Sequence, residues 1–172
     1  GVDSDSENED SLEPSSPTDE VVDIGASVEE AFRVPERPWD LAHHPDGRIY
    51  CSTQSGSKLY SWDSLTNERK EEVANFQDIQ ALYFVGEDIV YTTTQYGVTG
   101  SLSTMVGLQA EVLHTQADDG TLFRWPMDLI PSPEGGWIIA DYEAGAIFVI
   151  DAGGAVTVDS GGSSTPEALA YQ

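Results

Sequence analysis

"PWDLAHHPDGRIYCSTQSGSKLYSWD", residues 38–63, decides the fold, because the chain says it twice. The second copy is "PMDLIPSPEGGWIIADYEAGAIFVID", residues 126–151. Pro38 answers to Pro126, Asp40 to Asp128 and Leu41 to Leu129. Pro45 answers to Pro133, Gly47 to Gly135, Leu59-Tyr60 to Ile147-Phe148, and Asp63 to Asp151, all at an offset of 88. An offset of that size leaves room for one more unit of about 44 residues between the two. That unit is "DIQALYFVGEDIVYTTTQYGVTGSLSTMV", residues 78–106, with Leu82 in the place of Leu41 and Leu129. A further start, "PEALAYQ", follows at 166–172.

Each unit reads as four short strands separated by turn residues. In the first the strands fall near 39–43, 48–53, 58–62 and 70–76, with turns at Pro45–Gly47, Gly56 and Ser64–Asn67. In the third they fall near 127–131, 137–141, 146–150 and 155–159. The runs "WIIA" and "IFVI" are continuously apolar, as expected of strands covered on both faces. A four-stranded sheet with two apolar faces hides them only against neighbours of its own kind. A period of 40 to 47 residues with four strands is the signature of a β-propeller blade. The expected fold class is therefore all-β: a partial β-propeller of three four-stranded antiparallel blades plus the first strand of a fourth. The blades are expected at about 37–77, 78–124 and 125–165, with the next starting at 166–172. Only "SVEEAFR", 27–33, has any helical period.

The first 36 residues are a different material. They hold twelve acids and one base, Arg33, and the opening "GVDSDSENEDSLEPSSPTDE" has only Val2 and Leu12 as sizeable apolar groups. Such a segment buries too little surface to offset its ordering entropy, so 1–36 is expected to be an acidic disordered tether. The net charge is −24, and lysine occurs only at 58 and 70. Phosphate binding needs a basic face, so nucleic acid is excluded as a partner, and anionic membrane surfaces equally. No run of 18 apolar residues offers a membrane span. Cys51 is the single cysteine, so no internal disulfide forms. A flexible acidic tether at the start of a mature chain suits a secreted or cell-envelope protein, in a bacterial periplasm or lipid-anchored at a surface.

"PWDLAHHPDGRIYCST" and "PMDLIPSPEGGWIIAD" resemble the blade starts of NHL-repeat and SMP-30/gluconolactonase-like propellers. "KLYSWDSLTNER" resembles the third strand and Trp-Asp end of a WD40 repeat. The lactonase resemblance implies a divalent metal, calcium or zinc, held in the central channel by residues just after the blade-start proline. Here those positions are Trp39, Met127 and Glu167. Trp and Met do not bind a hard cation, and one carboxylate does not make a site. No cofactor is expected outside that alternative.

Asp40 and Asp128 share an inner-strand position and are the candidate binding residues, at the channel mouth, for a cation or a sugar hydroxyl. The competing role is to accept backbone N–H groups at a strand entry. His43 and His44 are adjacent on a strand, point to opposite faces and cannot ligate one ion. His114 is expected on an outer strand, and Cys51 as a buried inert thiol. Asp141 is expected to tie the turn after its strand. Asp118-Asp119-Gly120 and Glu87-Asp88 lack the spacing of a calcium loop and read as solvated turns. Trp39, Trp62, Trp125 and Trp137 read as packing between blades. No phosphate loop, nucleophile elbow or HExxH helix occurs.

These observations converge on a non-catalytic propeller binding module. Its expected ligand is a protein or carbohydrate at a propeller face. The alternative is an SMP-30-like metal-dependent lactone hydrolase with its ligands on further blades. Three blades and a strand do not close a ring, so the chain is expected to be part of a larger propeller. Self-association through open blade edges, two copies making one ring, is the other way to cover them.

Overall fold

In the computed structural model the described residues are 32–53, 58–74, 78–94, 99–107, 109–159, 166 and 169. The chain divides into Gly1–Glu30 and Ala31–Gln172. The first unit, and with it most of the acidic tether and of the 27–33 helical candidate, lies outside the described residues. So does most of the strand expected at 166–172.

Among the described residues twelve strands make three separate four-stranded antiparallel sheets, each a meander in chain order. Blade 1 is β1 (Pro38–His43), β2 (Ile49–Thr53), β3 (Lys58–Asp63) and β4 (Glu68–Ala74). Blade 2 is β5 (Ile79–Val85), β6 (Asp88–Thr93), β7 (Ser101–Val106) and β8 (Gln109–His114). Blade 3 is β9 (Pro126–Pro131), β10 (Trp137–Asp141), β11 (Ala146–Ile150) and β12 (Val156–Asp159). The first strands lie side by side, β1 against β5 and β5 against β9, so the blades radiate from an inner row. No helix occurs among the described residues.

The sequence repeat is a repeat of hydrogen bonds. At the first turn of blade 1, Gly47 N donates to His44 O (2.9 Å) and His44 N to Arg48 O (2.8 Å). Eighty-eight residues on, Gly135 N donates to Ser132 O and Ser132 N to Gly136 O, both at 3.0 Å. Gly47 and Gly135 sit at φ +94° and +89°, backbone that a side chain resists, which is why both copies keep glycine there. The terminal aspartates repeat too. Asp63 Oδ1 accepts from Leu65 N at 2.8 Å and Thr66 N at 3.2 Å. Asp151 Oδ1 accepts from Gly153 N at 2.8 Å and Ala155 N at 2.9 Å. Each carboxylate organises the turn into its blade's last strand.

Two apolar layers lie between the blades. Leu59, with Ala42 and Tyr50, packs on Ile79, Leu82, Phe84, Ile89, Tyr91 and Met105. On its other side Ala81, Val90 and Leu102 of blade 2, with Ala117 and Phe123 of the loop that follows, meet Leu129, Ile139, Phe148, Ile150 and Val156. Blade 2 is therefore sandwiched, and the middle four residues of β6 are all buried. In β11 burial alternates instead: Ala146, Phe148 and Ile150 are buried, while Ile147 and Val149 are half-buried. The continuous run "IFVI" thus has one face against blade 2 and a second apolar face without a described blade upon it. On blade 1 it is the face turned away from blade 2 that carries residues of 32–36. Phe32 stacks on Trp62 at 5.4 Å, and Thr53 Oγ1 donates to Glu36 at 2.7 Å.

Candidate functional site

The inner strands border a cleft of about 480 Å³, lined by β1, the middle of β5 and the start of β9. Its polar side chains are Asp40, Asp128, His43 and Tyr83. Among the described residues no Lys or Arg lines it. Leu41 is 60% exposed on this wall and Tyr83 38%, so apolar surface faces solvent beside two carboxylates.

Local backbone geometry places the aspartates. A bulge follows Pro38 in the pairing of β1 with β2, and it frees the Asp40 N–H from the ladder. Ser52 Oγ accepts that N–H at 3.1 Å. Blade 2 repeats the device: a bulge after Ile79, and Thr92 Oγ1 accepting from Ala81 N at 3.1 Å. The Thr92 hydroxyl also donates to Pro126 O at 2.8 Å, which ties blade 2 to blade 3.

Asp40 then crosses to blade 2, and Asp128 to Leu169, beyond blade 3. Asp40 Oδ2 accepts from Leu82 N at 2.8 Å. Asp128 Oδ2 accepts from Leu169 N at 2.6 Å, and its Oδ1 from Leu129 N at 2.8 Å. The leucines hold the same place in their units, Leu82 in the second and Leu169 in the start of the fourth, so the contact is one staple used twice. Burial pushes the Asp40 carboxyl above its ordinary range, and the Asp128 charge adds to this. The Leu82 and Leu41 N–H groups act the other way.

The other singled-out residues scatter. His43 is exposed at the cleft, and His44 is 4% exposed on the opposite face. His44 packs edge-on to Phe84 of blade 2 at 4.6 Å, with Nδ1 2.8 Å from Asp46 Oδ1. His114 ends β8, far along the blade from the inner row. Cys51 is 1% exposed, and burial raises its thiol to about 11. Asp141 is fully buried. Oδ1 accepts from Trp125 N (2.8 Å) and Ala144 N (2.9 Å), and Oδ2 from Arg124 N (2.7 Å). It ties the following turn, as expected, and also the chain entering blade 3. Asp119 Oδ1 accepts from Thr121 N at 2.8 Å and Asp118 Oδ2 from Val156 N at 3.2 Å, both in exposed turns. Among the described residues no three His, Cys, Asp or Glu side chains gather as a metal-binding group. Trp39 and Met127 are half-buried; Glu167 lies outside the described residues.

The four tryptophans are all half-buried. Trp137 meets Tyr83 of blade 2 edge-on at 5.6 Å, a contact between blades. Trp125 donates from Nε1 to Gln80 Oε1 at 2.9 Å, and Trp62 from Nε1 to Asn67 at 3.2 Å within its own blade. Gln80 and Tyr83 were not legible as site residues. The one signal for the inner-row devices was the hydroxyl shared by Ser52 and Thr92 at one blade position.

No protein-family model matches the chain, and no curated protein matches it. Solved structures do. A streptogramin B lyase superposes with TM-score 0.52 at 16% identity, covering 74% of this chain and 42% of that one. A glucose dehydrogenase-type oxidoreductase of Thermus thermophilus gives 0.53 at 14% identity, covering 74% and 48%. The extracellular domain of a one-component system from B. thetaiotaomicron gives 0.54 at 12% identity, covering 78% and 18%. All are β-propeller-like, and identities this low speak for the fold alone. The chain is a β-propeller segment spanning less than half the length of each of these structures.

Proposed function

We propose that the chain is a ligand-binding part of a secreted or envelope-located β-propeller, and that the inner-row cleft is its ligand site. The observation that carries this reading is the cleft wall itself. A part-exposed Tyr83 ring and Leu41 stand beside Asp40 and Asp128 with no base among them. An aromatic face with carboxylate acceptors at its margin is the surface a neutral sugar uses, the ring covering C–H faces and the carboxylates accepting hydroxyls. Both carboxylates are already held by backbone N–H donors. That fixes their positions and suits them to accept hydroxyls rather than to move protons.

The test is a titration of the folded chain with neutral oligosaccharides, followed by amide and indole NMR shifts. Saturable shifts centred on β1, β5 and β9, weakened at least tenfold by Tyr83→Ala, are expected. Shifts that Tyr83→Ala leaves untouched would remove the cleft from the reading. Lactone turnover abolished by a chelator would replace it with the hydrolase alternative.

A further inference from the structure

The outermost strands of the three blades are not protected alike. An outermost strand leaves one row of N–H and C=O groups without a sheet partner, and proteins blunt such edges with charge, shortness or cover. β4 carries "ERKEE" at 68–72. β12 has four residues, and the loop before blade 3 covers its start: Asp118 N donates to Val156 O at 2.9 Å and Asp118 Oδ2 accepts from Val156 N at 3.2 Å. Among the described residues β8 has neither defence. It is "QAEVLH", six residues with one carboxylate, and every residue but the last is exposed. A bulge opposite Leu102 and Ser103 leaves Leu113 out of the ladder. Val112 is 60% exposed and Leu113 40%. The regular stretch open to a partner is Gln109–Val112.

Charge says what kind of partner fits. Residues 78–123 contain no Lys or Arg, but six acids: Asp78, Glu87, Asp88, Glu111, Asp118 and Asp119. A second copy pairing this edge with its own would set Glu111 against Glu111, with no base on β8 to answer. Successive residues of β8 point to opposite faces, so a strand laid beside it meets Glu111 on one face and Val112 on the other. We propose that the open edge of β8 accepts, by strand addition, an extended segment of a partner protein in which basic and apolar residues alternate. Backbone hydrogen bonds supply the attachment. A basic residue opposite Glu111 and an apolar one opposite Val112 set the register. This surface is separate from the inner-row cleft and does not depend on it.

A ten-residue peptide alternating lysine and valine is the probe. Its partner in the experiment is the same peptide N-methylated at alternate residues, which keeps the charge and removes the hydrogen bonds along one edge. At physiological salt the plain peptide should bind at least tenfold tighter and slow hydrogen exchange in β8. Glu111→Lys should weaken it about fivefold or more, while Glu134→Lys, an equal charge change on blade 3, leaves it as it was. Equal binding of both peptides, equal effects of the two variants, or protection elsewhere than β8 would each overturn the proposal. So would sedimentation showing the chain alone dimeric with β8 protected, which would make a second copy the occupant.

Discussion

Half-buried Asp40 and fully buried Asp141 both hold backbone N–H groups in place. Asp141 satisfies three N–H groups that have no ladder partner where the chain enters blade 3 and where β10 turns into β11. A buried donor left alone costs about 1–3 kcal/mol, so the position needs an acceptor with more than one lone pair. Asp40 has a measurable signature. Its folded-state pKa is raised, so the folded chain holds that proton more readily than the unfolded chain. Stability from this group is present below the ordinary Asp value, about 3.9, and falls as pH rises from there through the folded value. Asp63 is shifted downward by the Leu65 and Thr66 N–H groups and contributes in the opposite sense, below the ordinary value. Urea unfolding from pH 3 to 7 should therefore show a decline above pH 4 that is shallower in Asp40→Asn. An unchanged slope in that variant would mean the carboxyl is not desolvated as described. That Asp40 and Asp128 share a position was legible from the repeat. That they reach the following unit was not, because the Leu82 N–H is 42 residues away.

At the scale of elements, the strands came where alternation and turns put them, within two residues. The fourth strand of blade 1 starts earlier than its pattern suggested, at Glu68. Glu68 and Arg69 extend the expected strand at its start, and the first four residues of the charged "ERKEE" are exposed to water. What the pattern does not carry is how closely elements approach. A Cβ on Gly100 would lie 2.5 Å from Pro126 Cδ and 3.2 Å from Thr93 O, so β7 meets the start of blade 3 with no side chain between. Its N–H donates to Phe123 O at 2.8 Å, which fixes the approach. Gly100→Ala should lower unfolding stability by about 1–3 kcal/mol in urea denaturation, the range for overfilling a packed contact. A change under about 0.3 kcal/mol would show that the blades can part there at little cost. Nothing marks Gly100 in the sequence as different from the turn glycines. Its constraint is a neighbour 26 residues away rather than its own φ.

At the scale of the molecule, the blades differ in how many neighbours they have. Blade 2 buries both faces, whereas β11 of blade 3 has Ile147 and Val149 half-exposed on its far side. Burial on both faces roughly doubles the apolar area withdrawn from water, at about 25 cal/mol per Å². Opening free energy should follow that order. Native-state hydrogen exchange is expected to show the slowest amides in β5 and β6 and faster ones in β11 and β12. Equal protection across the three blades would mean that the far face of blade 3 is covered as well as blade 2.

By itself the sequence determined the repeat, the strands, the turn glycines and the acidic, lysine-poor character, because these are written in spacing and composition. Periodicity reports which face of a strand is apolar, so the stacking of like sheets followed from it. Only the tertiary structure decided what the polar groups do. Asp40 and Asp128 staple leucines of the following unit, Thr92 joins two blades, and among the described residues the edge of β8 is left bare. Those outcomes depend on which atoms meet across some 25 to 45 residues of chain, and distance in space is not encoded in the order of residues along one strand.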